Sequence, residues 1–128
     1  MEIIPRNPAE GIYAATPDYV HALEVQGAAR LLFVSGTMGL DSSGAAGATL
    51  DDQLELVWNN IRAILASAGM TTDNIVRLTS YLRDPGYAAA NAEARCRALG
   101  DRRIPTTAIV VQMLEADWLV EIEIVAAA

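Results

Sequence analysis

Two glutamates near the C-terminus have the types and spacing best suited to chemistry. Glu121 and Glu123 alternate with apolar residues in Val120–Ile124. This pattern is typical of a strand and places both carboxylates on one face, with Cα atoms roughly 7 Å apart. Such a pair can supply an acid and a base when partial burial raises one pKa. A solvated strand face or ion pairs with arginine explain the same spacing, and both alternatives stay open.

Further candidate residues follow or precede predicted strands. Ser35 and Gly36 end an apolar segment, and a ligand can approach a glycine amide closely because the residue has no side chain. An ordinary turn explains this pair equally well. Tyr19 is interpreted as an aromatic at the rim of a site or as a packing residue. His21, the single histidine, is interpreted as a surface or satisfied strand residue.

Composition excludes several kinds of chemistry. All nine cationic residues are arginine, which excludes a Schiff base on lysine and therefore pyridoxal-phosphate chemistry. One histidine and one cysteine, Cys96, exclude a His-rich or Cys-rich metal site, so we expect no metal. The net charge of −7 disfavours nucleic acid as a partner, because phosphate binding needs clustered cations.

The chain shows no pattern of secretion or membrane insertion. No apolar run approaches the roughly 18 residues of a membrane span. The N-terminal segment Met1–Arg6 lacks a cationic stretch followed by an apolar one. A lone cysteine fits a reducing compartment. We therefore expect a cytoplasmic protein without a membrane partner.

The periodicity of apolar residues predicts an α+β domain over residues 1–128. In chain order the predicted elements are two strands at 20–26 and 31–36 that resemble a hairpin, a helix from Thr49 to Ala68, a strand at 75–82, a helix at about 86–99, and two C-terminal strands. Two helices with five or six strands predict a two-layer sandwich, with a mixed sheet and both helices on one face.

The first C-terminal strand predicts self-association. Ile109 and Val111 face one way and Ala108 and Val110 the other, so both faces of this strand are apolar. Two helices cover only one face of a sheet. Burial of the other face stabilises by about 25 cal/mol per Å², which favours an oligomer.

Taken in order, these segments resemble the YjgF/Rid family of reactive-intermediate deaminases from about Tyr19 to Ala126. The matching segments are Leu32–Thr37 (a strand ending in Ser-Gly-Gln in the family), Gln53, Asn60, Ile64–Leu65 and Ala68–Gly69 in the first helix, Ile75–Thr79 with Asp84, Asn91 in the second helix, and Val120–Glu123 with Ala126.

The resemblance implies a chorismate-mutase-like fold (the bacillus type) and a homotrimer with pockets at the subunit clefts. It also implies hydrolysis of small 2-imino or enamino acids to 2-keto acids and ammonia without a cofactor. Glu121 stands where the family's glutamate helps to place the attacking water. Tyr19, Ser35 and Gly36 stand at pocket positions.

The sequence departs from the family at the arginine that pairs with the substrate carboxylate. Thr106 or Thr107 stands at that position, depending on whether the alignment is anchored on Leu114 or on Pro105. We expect both threonines to contact the substrate, and Arg102 or Arg103 to be a candidate substitute cation. The departure leaves two functions open, a deaminase and a non-catalytic trimer that binds a small metabolite. The acidic charge disfavours the endoribonuclease activity also associated with the family.

Overall fold

The computed structural model describes all 128 residues and contains two α-helices and six strands. In chain order these are β1 (Glu2–Arg6), β2 (Ala22–Gln26), β3 (Leu31–Met38), α1 (Leu50–Ser67), β4 (Ile75–Leu82), α2 (Ala88–Leu99), β5 (Thr106–Val110) and β6 (Val120–Ala127). Short 3₁₀ turns, Thr72–Asn74 and Pro85–Tyr87, precede β4 and α2.

The main sheet has the strand order β3-β6-β4-β5. Strand β6 is antiparallel to both of its neighbours, whereas β4 and β5 are parallel, so the sheet is mixed. The apolar half of β6 (Val120, Ile122, Ile124) is almost fully buried against the helices. The predicted α+β arrangement, with both helices on one face, is confirmed. Glu121 and Glu123 therefore lie on the other face.

Helix α1 forms where the sequence predicts it. The side chain of Thr49 caps its N-terminus by accepting a hydrogen bond from the backbone N–H of Asp52, and Gly69 follows its C-terminus at φ 67°. Helix α2 begins slightly later than predicted, at Ala88. The side chain of Asp84 caps the 3₁₀ turn at Pro85 by accepting from the N–H of Gly86, so that turn comes before the α-helix.

The predicted hairpin of residues 20–26 with 31–36 is wrong. Strand β2 pairs instead with β1, an N-terminal strand that the sequence analysis did not identify. The backbone N–H groups of Ala29 and Arg30 donate to the carbonyl of Ala128 at 2.8 and 2.9 Å. This contact directs the chain to the end of β6, so β3 pairs with β6 and not with β2.

A bulge near the start of β4 changes which residues face the core. The pairing with β6 shifts between Ile75 and Arg77. Ile75 is fully buried, although strict alternation along β4 would place it on the face opposite Leu78. Arg77, Thr79 and Tyr81 lie on the open face, as the alternation of residues along the strand predicts.

The open sheet face carries exposed apolar side chains at its two edges. Phe33 on β3 is 74% exposed and Ile109 on β5 is 44% exposed. Both pair with open-face residues, Phe33 with Val125 and Ile109 with Tyr81. Neither helix has the length and apolar character needed to cross a membrane.

Candidate functional site

The two glutamates of β6 have different partners. The hydroxyl of Tyr81, on the neighbouring strand, donates a hydrogen bond to Oε1 of Glu123. The half-buried carboxylate of Glu121 takes part in no hydrogen bond and in neither ion pair of the chain. Glu121 is therefore the carboxylate that is free to hold a water molecule or a ligand.

The hydrogen bond between Tyr81 and Glu123 also keeps the Tyr81 hydroxyl protonated. It raises the pKa of Tyr81 above its ordinary value of 10.0, and the nearby negative charges of Glu123 and Glu121 act in the same direction. Ionisation of the phenol would remove a donor and place a second negative charge beside the carboxylate. At neutral pH Tyr81 is thus a neutral donor.

Gly36 provides the space that the Glu121 side chain occupies. A Cβ added to Gly36 would lie 2.8 Å from the carboxyl carbon of Glu121, closer than Cβ contacts normally are. These two residues line a cavity of about 230 Å³ with Tyr81, Glu123 and the segment Val111–Leu114. We call it the carboxylate cavity.

Three other predicted site residues meet in a second cavity of about 560 Å³, which we call the aromatic cavity. Tyr19, Thr106 and Thr107 line it together with Tyr13 and His21. The His21 ring makes T-shaped contacts with both tyrosines, with ring centroids 5.1 Å from Tyr13 and 5.8 Å from Tyr19. Its Nε2 also lies 2.8 Å from the carbonyl oxygen of Tyr13. His21 is thus part of the aromatic wall.

Arg77 is the cation of the aromatic cavity, and the sequence analysis missed it. Its Nη2 donates to Oγ1 of Thr107 at 2.9 Å. Alternation along β4 does place Arg77 on the open face with Thr79. However, the parallel pairing that sets Thr79 opposite Thr107 links distant segments, and no local pattern reveals it.

Arg102 and Arg103 line neither cavity. Arg102 donates to the carbonyls of Thr72 and Ile75 at 2.9 and 2.8 Å, and burial lowers its pKa. Arg103 donates to the carbonyl of Pro17 at 2.7 Å and to that of Gly100 at 3.1 Å. Both guanidinium groups hold backbone in place and are not free to bind a ligand.

Within one chain, the six predicted site residues do not lie in a single cavity. Gly36 and Glu121 line the carboxylate cavity, and Tyr19, Thr106 and Thr107 line the aromatic cavity. Ser35 is exposed and lines neither; it lines a third, wide-open cavity of about 710 Å³ along β3 that also includes Gly36. Glu121 pairs with Tyr81, four residues beyond Arg77 on β4, which corresponds to roughly 13 Å along the strand.

A partly buried ion pair positions the segment that carries Tyr19. The guanidinium of Arg95 on α2, which is 4% exposed, pairs with the carboxylate of Asp18. The hydroxyl of Thr16 contributes most to lowering the pKa of Asp18, and Arg95 lowers it further. This ion pair connects the segment that contains Tyr19 to helix α2. No group of three or more His, Cys, Asp or Glu side chains could hold a metal ion.

Comparisons with known proteins identify relatives of this chain. The sequence profile of the family described as Endoribonuclease L-PSP matches residues 10–128. A RutC family protein of Pyrococcus horikoshii is 31% identical over 101 residues, covering 77% of this chain and 80% of that protein.

Two solved structures are similar across nearly the whole chain. A Rid-family protein of unknown function from Yersinia pestis has a TM-score of 0.85 and 28% identity, and the match covers 100% of both chains. RidA from an Antarctic Psychrobacter has a TM-score of 0.73 and 28% identity over 90% of this chain and 92% of that one. The fold is thus the chorismate-mutase-like α+β sandwich of these proteins, and this chain belongs to the YjgF/Rid family.

Proposed function

We propose that this chain is a cofactor-independent hydrolytic deaminase of a small imine or enamine metabolite. Membership of the Rid family supports a role in processing small molecules. The observation that carries the proposal is the difference between the two glutamates. Tyr81 engages Glu123, whereas Glu121 lies free above Gly36. A free, half-buried carboxylate in a cavity is suited to orienting a water molecule.

In the proposed reaction, Glu121 accepts a hydrogen bond from water and takes its proton as the oxygen attacks the imine carbon. The proton then passes to the nitrogen. The hydroxyl proton of the resulting carbinolamine then moves to the nitrogen as the carbon–nitrogen bond breaks, so the products are a carbonyl compound and ammonia. An enamine enters the same path after protonation at carbon. Ser35, Gly36, Thr106 and Thr107 would bind the substrate by hydrogen bonds, and Tyr19 would close the cavity.

We further propose that the working site forms between copies of the chain in a homotrimer. A small substrate cannot reach both Glu121 and the aromatic cavity of one chain across roughly 13 Å. In the trimer, the aromatic cavity of a neighbouring copy would lie beside Glu121 and complete the site. The exposed Phe33 and Ile109 lie on the same sheet face as Glu121, and their burial would favour such an assembly.

The experiment that tests the proposal measures ammonia release from freshly generated imines, with and without a carboxylate. We expect turnover by the wild type and its loss in Glu121→Gln, which keeps the size of the side chain but cannot take up the proton. Glu93→Gln, at an exposed position on α2, is the matched control. Unchanged turnover in Glu121→Gln would refute the role of Glu121. No turnover on any imine, together with ligand-dependent thermal stabilisation, would instead indicate a metabolite-binding trimer.

A further inference from the structure

We infer that Arg77 binds the carboxylate of the ligand and so supplies from β4 the positive charge that Thr106 and Thr107 do not provide on β5. This inference deepens the proposed function and rests on it for the identity of the anion. It assigns a specificity-determining role to a residue that the sequence analysis did not consider.

The guanidinium of Arg77 reaches across to β5 and donates to the hydroxyl of Thr107 at 2.9 Å. This bond brings the cation to the strand position at which the family resemblance places an arginine. Because one N–H is used by Thr107 and no other hydrogen bond or ion pair engages the group, most of its donors remain free. A guanidinium with adjacent free N–H groups can bind a carboxylate through two hydrogen bonds.

The chain carries a net charge of −7, yet no Asp or Glu lines the aromatic cavity, and Arg77 is its only arginine. The carboxylate of Glu123 is bound by Tyr81, and Arg77 extends to the opposite side of β4, toward β5. Arg95, Arg102 and Arg103 are all engaged elsewhere. A cation without a protein counter-ion in a carboxylate-free cavity favours an anionic ligand.

The rest of the lining of the aromatic cavity is suited to an apolar group. It includes the rings of Tyr13 and Tyr19 and apolar side chains such as Val25 and Val76. The cavity volume of about 560 Å³ lies within the range of small-molecule sites. The cavity therefore fits a carboxylate joined to an apolar or aromatic group. In the proposed reaction, the ligand is a 2-imino acid with such a side chain, and the product is the 2-oxo acid.

Binding of a product analogue tests the inference without requiring turnover. Isothermal titration calorimetry compares phenylpyruvate with its uncharged primary amide on wild type, Arg77→Met, Arg77→Lys, Thr107→Val and the control Arg97→Met. Arg97 is an exposed arginine on α2 outside the aromatic cavity. We expect the wild type to prefer the acid, and Arg77→Met to weaken acid binding about tenfold or more while leaving amide binding unchanged.

The other variants separate charge from structure. We expect Arg77→Lys to recover part of the affinity for the acid. Thr107→Val should lose a smaller part, because it removes one hydroxyl and releases the guanidinium but keeps the positive charge. Equal loss of acid and amide binding in Arg77→Met would mean a structural role and would overturn the inference. The inference would also be overturned if the wild type bound acid and amide equally, or bound neither. It would be overturned as well if Arg97→Met had the same effect as Arg77→Met.

Failure of the inference and failure of the proposed reaction are distinguishable. If no imine is hydrolysed but the acid binds through Arg77, the reaction is wrong and the inference stands. If Glu121-dependent turnover is equal for carboxylated and carboxylate-free imines and insensitive to Arg77→Met, the reaction stands and the inference is wrong.

Discussion

The carboxylate of Glu121 fills the space in which any residue other than glycine would place its Cβ at position 36. A Cβ added there would lie 2.8 Å from the carboxyl carbon. The bulge in β3 between Val34 and Thr37 brings Gly36 to this position beside β6. The contact between Gly36 and Glu121 thus links β3 to β6 and limits the directions in which the Glu121 carboxylate can point.

Substitution of Gly36 by alanine should therefore be coupled energetically to the Glu121 side chain. We expect Gly36→Ala to destabilise the protein only modestly, by about 0.5–1.5 kcal/mol, because the added methyl group displaces the far end of the flexible Glu121 side chain from its preferred conformer. In a Glu121→Ala background the same change should have little effect. Urea unfolding of the four proteins of the double-mutant cycle measures this coupling. Equal costs in both backgrounds would contradict the contact.

The phenol of Tyr81 should ionise later than an exposed tyrosine. Its pKa is raised above 10.0 because the hydroxyl donates to Glu123. A raised folded-state pKa contributes stability that is complete below the unfolded value and is lost as pH rises through the folded one. Ultraviolet absorbance titration above pH 10, compared with Tyr81→Phe, identifies this ionisation. Glu123→Gln should bring it back toward the ordinary value, and an unmoved titration would refute the assignment.

The pair formed by Asp18 and Arg95 should respond unequally to removal of its two members. Asp18→Ala leaves the buried guanidinium without its carboxylate, and we expect a loss of about 1–3 kcal/mol. Arg95→Met should cost less, since the 38% exposed side chain of Asp18 stays hydrated. Chemical denaturation compares the two variants, and a larger loss in Arg95→Met would contradict this order.

The same pair should contribute to acid sensitivity. The pKa of Asp18 lies below 3.8, because the Thr16 hydroxyl and Arg95 favour its ionised form. A lowered folded-state pKa contributes stability that is present above the unfolded value and is lost as pH falls through the folded one. The difference in melting temperature between wild type and Asp18→Ala should therefore be constant near neutrality and shrink below about pH 4.

If each working site combines Glu121 of one copy with the aromatic cavity of the next, two inactive variants should complement each other. Glu121→Gln and Arg77→Met chains, unfolded together and reassembled, would form some sites with both native residues. Random mixing in a ring predicts recovery of about a quarter of the wild-type activity. Each variant reassembled alone is the control. Absence of recovery in verified mixed oligomers would place both residues in sites within one chain.

A charge on the open sheet face should prevent assembly. Phe33 is 74% exposed and lies across from Val125, at the edge of the face that we propose is buried between copies. We expect Phe33→Asp to give a particle of 13.6 kDa in light scattering, against three times that mass for the wild type. Ala66→Asp, at an exposed position on α1, should keep the wild-type mass. A trimer of Phe33→Asp would rule out this contact.

Local patterns sufficed to predict the elements that form the sandwich. Alternation in Val120–Ile124 indicates a strand with both glutamates on one face, and the capping residue Thr49 and Gly69 define α1, since both signals depend on neighbouring residues. The pairing of β2 with β1 was not predicted, because the contact that separates β2 from β3, between Ala29 and Ala128, joins segments that lie far apart in the sequence.

The sequence by itself determined the residue types available for chemistry: two glutamates on one strand, arginine as the only cation, and threonine at the family's arginine position. Only the tertiary structure decided which glutamate is free and which arginine faces a cavity. Tyr81 reaches Glu123 from 42 residues away, and Arg77 reaches Thr107 from 30 residues away. Such contacts depend on the order and register of strands in the sheet, which the spacing of residues along one segment does not encode.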